Sequence, residues 1–103
     1  MVLHIYKVVL PEFPSHEKYD LYNQMKRAAY SIPLNIVEGA GRRTEKDFTH
    51  FLDNALGSVQ ELEYICFLAK DLAYFDENKY EEIYKMAGEV KAMLIGLIKH
   101  LRS

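Results

Sequence analysis

The sequence predicts an all-α fold: an antiparallel, up-down four-helix bundle with a shortened first helix and a proline kink in the second. Apolar side chains recur at steps of three and four residues from Phe48 to Ala73, and again from Tyr80 to Leu101. A third stretch with this spacing, from Leu21 to Ile36, precedes them. A chain of 103 residues forms one domain of this kind, residues 1–103.

Composition excludes several classes of protein. Half of the residues are apolar and the formal net charge is -2, which argues against strong electrostatic binding of nucleic acid by the chain as a whole. This net charge still allows a local basic patch. Cys66 is the one cysteine and cannot form an internal disulfide. Without a cleavable leader or an apolar run of about 20 residues, we expect a cytoplasmic protein with no membrane span.

The first ten residues are ambiguous between strand and helix. Ile5, Val8 and Val9 suit either, but no second strand pattern follows to pair with them, which favours a helix ended by Pro11 and Pro14. Such a helix covers about 15 Å, whereas one from residue 44 to residue 74 runs about 45 Å. Part of the core groove should therefore lie open unless a neighbouring subunit fills it.

The second helix should begin near Ser15, a plausible N-cap with Glu17 in the first turn. Pro33 lies inside its apolar pattern and either kinks or breaks it. We favour a kink near Ser31, because a break would make Ile32 the N-cap, while the Ser31 and Asn35 side chains can pair freed backbone groups. The core face consists of Leu21, Met25, Ala28, Ala29, Ile32 and Ile36, and Gly39 with Gly41 ends the helix.

The third and fourth helices have clear start signals. Thr44 with Asp47 three residues later approximates a capping box, and Asp76 opens the last helix. Ser58 is the polar residue within the apolar pattern of the third helix, and its place beside Gly57 predicts a close helix crossing there. The predicted core positions are Phe48, Phe51, Leu52, Ala55, Ser58, Val59, Leu62, Ile65, Cys66, Ala69, Leu72 and Ala73, then Tyr80, Ile83, Ala87, Val90, Leu94, Leu97 and Leu101.

Apolar side chains also lie off these stripes. Between Ala92 and Ile98 the last helix is apolar almost all round, which does not suit a helix with water on one side. We therefore predict a homo-oligomer, since exposed apolar patches mark interfaces; the alternative is scattered surface hydrophobes on a monomer. The predicted interface residues are Tyr64, Phe67, Leu68, Met93, Ile95 and Ile98.

One family shares the order and spacing of several motifs here. Ser31-Ile32-Pro33-x-Asn35-Ile36-x-Glu38-Gly39, Gly41-Arg42, Phe48-x-x-Phe51-Leu52, Ala55, Gly57-Ser58 and Glu61-Leu62 resemble the 23S ribosomal RNA intervening-sequence proteins. The resemblance runs from about Phe13 to the C-terminus. It implies a small bacterial four-helix bundle with a longer first helix, a ring-forming homo-oligomer that is typically a pentamer, and no assigned reaction. A related branch, the accessory variability protein of diversity-generating retroelements, implies RNA or a reverse transcriptase as a partner.

The turn before the third helix is a candidate anion site. Gly39-Ala40-Gly41-Arg42-Arg43-Thr44 combines backbone amides at a helix start with two guanidinium groups, but it lacks the lysine and spacing of a phosphate loop. Two interpretations are open. The segment is a helix stop followed by a solvated basic loop, or Arg42, Arg43 and Lys46 contact a nucleic-acid phosphate backbone.

Metal-dependent and nucleophilic chemistry find little support. Asp47-x-x-His50 resembles the carboxylate-x-x-His element of di-iron bundles, but such sites need it twice. The remaining histidines, His4, His16 and His100, have no ligand spacing. Cys66 and Ser58 lie inside the apolar stripe, so neither is expected to act as a nucleophile. We predict no catalytic residues, no metal and no cofactor.

A set of polar residues at helical spacing is predicted to be structural. They are Arg27, Ser31, Asn35, Glu38, Ser58 and Glu61. We interpret them as a buried or half-buried network that fixes helix register, which predicts that Glu38→Ala lowers the melting temperature or disrupts assembly. The resemblance to the intervening-sequence proteins, more than the residues themselves, implies a non-enzymatic interaction module that binds RNA or a nucleic-acid enzyme through its basic loop. The alternative is a metal-dependent or phosphate-handling helical-bundle enzyme.

Overall fold

A computed structural model describes residues 1–13 and 20–103. The chain starts as one short helical stretch made of α1 (Val2–His4), a π-helical turn (Ile5–Val9) and a 3₁₀ turn (Leu10–Glu12). We call residues 2–12 the N-terminal helical segment. It confirms the shortened first helix, and it ends at Phe13, which is extended because Pro14 follows. The expected N-cap Ser15 and Glu17 lie outside the described residues.

Helix α2 (Leu21–Ala40) continues through Pro33 without a break. Polar side chains on either side of the proline donate to carbonyl groups in the turn before it: Ser31 Oγ donates to the Ala28 carbonyl at 2.9 Å, and Asn35 Nδ2 donates to the Ser31 carbonyl at 2.8 Å. The helix ends at Gly41, whose φ of -82° is right-handed, so the stop does not use the left-handed conformation.

The close crossing of α2 and the next helix lies at Gly39. A Cβ atom at this position would come within 2.7 Å of Phe51 Cβ and 2.9 Å of Phe48 Cδ1. The sequence also predicted a close crossing at Ser58 beside Gly57: Ser58 Oγ does lie 2.6 Å from Ser31 Oγ of α2, whereas a Cβ at Gly57 would meet nothing within 4 Å. Only a glycine allows the two backbones to approach as they do at Gly39.

Helix α3 (Glu45–Asp71) has the predicted start and an earlier end than expected. Thr44 Oγ1 accepts a hydrogen bond from the Asp47 N–H at 3.1 Å. The helix closes with a Schellman motif, in which the Tyr74 N–H donates to the Ala69 carbonyl and the Ala73 N–H donates to Lys70, both at 2.9 Å. Ala73 takes the left-handed conformation, with φ 61°.

Helix α4 (Glu77–Arg102) begins where Asp76 predicts, since Asp76 Oδ1 accepts from the Lys79 N–H at 2.8 Å. The turns before α3 and α4 are short, so α2, α3 and α4 run alternately up and down, with α3 packed against both others. The domain is elongated, 43 × 23 × 18 Å. These observations confirm the all-α bundle, and none of its described helices meets the length and hydropathy needed to cross a bilayer.

Packing at the two ends of the bundle differs. At one end the Phe13 ring contacts three other rings, with centroids 6.0 Å from Tyr22, 5.7 Å from Tyr74 and 5.8 Å from Phe75. The N-terminal helical segment lies at this end and reaches α4 through Glu12–Lys79 (3.2 Å) and His4–Glu82 (2.5 Å). Within the described residues it therefore lies against the first half of α4 and does not reach the second half.

Candidate functional site

An apolar groove lies between α2 and the second half of α4, in the place that the N-terminal helical segment does not reach. It has a volume of about 260 Å³. We call it the α2–α4 groove; its lining consists of Ile36, Leu52, Val90, Met93, Leu94 and Leu97. Leu52 and Leu94 are buried and form its floor, while Met93 is 72% exposed on its wall. This groove agrees with the sequence prediction that a first helix much shorter than the third leaves part of the core groove open.

A second apolar surface lies on the outer side of α3 and α4. We call it the α3–α4 face and define it by Tyr64, Phe67, Tyr84 and Ile95, all exposed. The ring of Tyr80 joins the two helices across it, since it lies 6.3 Å from the Phe67 ring and 5.8 Å from the Tyr84 ring. The Lys70 ammonium is 5.0 Å from the Phe67 ring centroid, a cation–π contact that leaves most of the face uncovered.

The predicted interface residues fall on different surfaces. Met93 and Ile95 lie on opposite flanks of α4, because two residues along a helix turn through about 200°. Met93 belongs to the α2–α4 groove, whereas Ile95 lies on the side of α4 that carries Tyr84. Leu68 is half-buried. Ile98 is only 6% exposed and packs in the core of its own chain, so it is not part of the exposed surface.

The three cations predicted to bind nucleic acid lie at the end of the bundle opposite the Phe13 rings. The Arg42 guanidinium stacks 4.7 Å from the centroid of the Phe51 ring. Arg43 and Lys46 are exposed, and Lys46 shares a cleft with Arg102 from the end of α4. Arg102 Nη2 also lies 2.5 Å from Asp53 Oδ2.

Acidic side chains limit the positive potential at this end. Glu45 and Asp47 occupy the first turn of α3, where carboxylates interact favourably with the helix dipole. Glu45 also lines the cleft with Lys46 and Arg102. The end therefore presents separate cations among carboxylates, which suits contact with spaced phosphates of a chain better than capture of a single phosphate ion.

Of the six polar residues predicted as a network, the structure brings three together. Ser31 Oγ lies 2.6 Å from Ser58 Oγ across α2 and α3, and Asn35 bonds to the Ser31 carbonyl. Ser58 Oγ also donates to the Asn54 carbonyl at 3.2 Å.

The other three, Arg27, Glu38 and Glu61, are exposed and form no ion pair or hydrogen bond within residues 1–13 and 20–103. Arg27 and Glu61 line one polar cleft with Gln24 and Ser31 but do not pair there. The predicted neutralisation of a glutamate by Arg27 is absent from this part of the chain. The network is therefore the small Ser31–Ser58–Asn35 set.

The remaining chemical candidates lie in unreactive surroundings. Cys66 is fully buried, and burial together with the Glu63 carboxylate raises the pKa of its thiol to about 12, so the thiolate is scarce near neutral pH. The His50 ring packs edge-on against Phe51. Within the described ranges, no three side chains of the metal-binding types come together.

Sequence reasoning missed two contributors to these surfaces. Arg102 joins Lys46 only because the end of α4 meets the start of α3, a tertiary arrangement with no local signal. Tyr84 lies one turn from Tyr80 and extends the α3–α4 face. The sequence carried a signal for it, because a residue four positions after the predicted core residue Tyr80 lies next to Tyr80 on the same side of the helix.

Comparison with known proteins identifies a family and similar solved structures. The model of the family described as 23S rRNA-intervening sequence protein matches residues 1–96. A crystal structure of a protein of unknown function from the S23 ribosomal protein family of Bacteroides thetaiotaomicron is similar, with a TM-score of 0.82 and 28% identity over 95% of this chain and 88% of that chain. Comparison with curated proteins finds none that matches.

Proposed function

We propose, since the chain belongs to the 23S rRNA-intervening sequence protein family, that it is a non-enzymatic module that acts by binding other macromolecules, first of all copies of itself. The α3–α4 face carries this proposal. The rings of Phe67 and Tyr84 are joined across two helices through the ring of Tyr80, and Tyr64 lies one turn from Phe67 on α3. A contiguous exposed apolar patch of this kind is typical of a protein–protein interface.

The chemistry of the α3–α4 face suits self-association. Tyrosine and phenylalanine bury large areas at a small cost in side-chain entropy, and Tyr64 is 65% exposed in the single chain. The ion pair between Glu63 and Lys91, at 3.0 Å, joins α3 to α4 beside the face. Because that pair fixes the two helices to each other, the face is a preformed surface and its ordering costs little on binding.

Light scattering of the full chain after size-exclusion chromatography tests self-association. We expect a mass that is a multiple of 12.0 kDa. Tyr64→Glu should shift it toward a single chain, because a carboxylate buried in an apolar interface lacks a partner. Leu34→Glu is the matched control, since Leu34 is exposed on α2 instead. A single-chain mass at every concentration, or disruption by Leu34→Glu alone, would refute the α3–α4 face as the interface.

We also propose that the basic end contacts the phosphate backbone of RNA. The observation in its favour is that Arg43 and Lys46 are exposed and have no carboxylate partner in the described part of the chain. The last turn of α4 adds Lys99 and also Arg102, which is paired with Asp53. Few cations are involved, so the affinity should be modest and should fall with salt.

Titration of a fluorescent single-stranded RNA tests this second function. Arg43→Ala with Lys46→Ala should weaken binding at low salt and reduce the slope of log K against log[salt] by about 1.4, because two phosphate contacts to a single strand are lost. Lys85→Ala is a control cation on α4 outside the basic end. Equal affinity in the double variant and the wild type would reject the basic end as an RNA site.

A further inference from the structure

We propose that an unpaired base of RNA stacks on the Arg42 guanidinium, beside the phosphate contacts of the basic end. The inference rests on the proposed RNA function and deepens it, because it names single-stranded RNA as the ligand and gives one residue a contact to a base. Arg43 and Lys46 supply positive charge for the phosphates. Arg42 supplies a flat surface, which a base needs and a phosphate does not.

The Arg42 guanidinium is one layer of a stack that is open on its outer side. Its central carbon lies 4.7 Å from the centroid of the Phe51 ring, so one face of the planar group covers the ring. Arg42 is exposed, and within residues 1–13 and 20–103 it forms no ion pair with a carboxylate. The outer face of the guanidinium can therefore take a second planar group, and unpaired bases stack on arginine planes in this way.

Arg42 differs from the other cations that lie over aromatic rings in the described part of the chain. These are two lysines, Lys26 and Lys70. A lysine ammonium is a compact point charge and has no plane on which a base can stack. Lys70 is also 3.7 Å from the carboxylate of Glu77. Among the described residues, the basic end is therefore the place where a planar cation covers a ring.

Both helices hold this stack in place before any ligand binds. At Gly39 the backbones of α2 and α3 approach so closely that an added methyl would lie 2.7 Å from Phe51 Cβ. The Arg42 N–H donates to the Gly39 carbonyl at 3.0 Å, which fixes the backbone that carries the guanidinium. The His50 ring packs edge-on against Phe51, with 5.9 Å between ring centroids. A base would therefore bind a preformed surface, at a small cost in ordering.

The charges around the stack favour a nucleotide as its ligand. Arg43 follows Arg42 directly, is exposed and has no carboxylate partner in the described residues, so a planar group and an anion can bind side by side. Glu45 and Asp47 weaken the attraction for phosphates at this end. Charge alone should therefore give little affinity, and stacking should supply part of it. Because a double helix keeps its base faces inside its own stack, the RNA must be single-stranded.

Fluorescence anisotropy with the full chain at low salt tests the proposal with two labelled probes. One is a single-stranded RNA of about 12 nucleotides without self-complementarity. The other is an abasic strand of the same length, which has the same ribose phosphates and no bases. We expect the strand with bases to bind about fivefold more tightly or better, as one stacked base requires.

Arg42→Lys removes the plane and keeps the charge. We expect this variant to bind the strand with bases about fivefold more weakly or worse, with an unchanged affinity for the abasic strand and an unchanged slope of log K against log[salt]. Arg43→Lys is the matched control, because the same change at the next residue keeps a phosphate contact and removes no stack. Both arginines are exposed, and thermal denaturation should show the same melting temperature for both variants.

The outcomes separate base stacking from RNA binding itself. Equal binding of the two probes would overturn stacking and leave the phosphate contacts of the basic end in place. Wild-type binding of the strand with bases by Arg42→Lys would do the same, and so would an equal loss in Arg42→Lys and Arg43→Lys. If neither probe binds even at low salt, the proposed RNA function fails, and stacking fails with it.

Discussion

Gly39→Ala should destabilise the protein, although alanine is the better helix former. The added methyl would lie 2.7 Å from Phe51 Cβ, 2.9 Å from Phe48 Cδ1 and 3.3 Å from the Phe48 carbonyl oxygen. Carbon atoms are at their best distance near about 3.5–4.0 Å. Phe51 Cβ and the Phe48 carbonyl are attached to the backbone of α3, so no rotamer change relieves the contact and α2 must move away from α3.

Two opposing terms determine the size of the effect. Replacing a helical glycine by alanine gains at most about 1 kcal/mol. Overpacking of a close contact costs about 1–3 kcal/mol. We therefore expect a net loss of up to about 2 kcal/mol in the free energy of unfolding, which lowers the melting temperature of a domain of this size by up to roughly 16 °C.

Thermal and urea denaturation followed by circular dichroism measure this loss. Gly57→Ala is the matched control, because a Cβ there meets nothing within 4 Å and the helix gains the full propensity term of about 1 kcal/mol. Both variants are compared at two protein concentrations, since self-association raises apparent stability. A Gly39→Ala protein as stable as Gly57→Ala would show that the α2–α3 crossing is not as close as described.

Three further changes test other parts of the fold by urea denaturation. Glu38→Ala should change the free energy of unfolding by less than about 0.5 kcal/mol, because Glu38 is exposed. Ser58→Ala should lower it by about 1 kcal/mol, because the hydrogen bond to Ser31 is lost. A large effect of Glu38→Ala would show that Glu38 belongs to the polar network after all. Ala73→Gly should stabilise by about 1 kcal/mol by relieving the left-handed φ of 61°, and a loss would contradict the strain. Burial and the Glu63 carboxylate raise the pKa of Cys66 from 9.0 to about 12. The stability that comes from keeping the thiol neutral is therefore complete below pH 9.0 and is lost as pH rises toward 12. Cys66→Ala should lack this part of the loss of stability at alkaline pH, and a pH profile identical to that of the wild type would refute the reasoning.

Features governed by local chemistry could be predicted from the sequence. Thr44 and Asp76 start their helices as expected, because an N-cap depends on the side chain and the amides three residues later. The end of α3 was predicted less well. A Schellman motif normally uses glycine, and Ala73 in that position carries no recognisable signal.

Features that depend on how helices rotate against each other could not be predicted. Gly39 and Gly57 look alike in the sequence, and only the orientation of α2 over α3 decides which one faces the other helix. Leu97 and Ile98 are three and four residues after Leu94, so spacing alone allows either to face the core. The structure buries Ile98 and leaves Leu97 in the wall of the groove.

The rings around Phe13 give the bundle one tightly closed end. They connect the start of the chain to the beginning of α2 and to the turn between α3 and α4, which are distant in sequence. Backbone amides near that end should exchange with deuterium slowly, because opening them separates several aromatic contacts at once. Amides in the last turns of α4 should exchange faster, so local unfolding should start at the end where the groove lies and reach the aromatic end last.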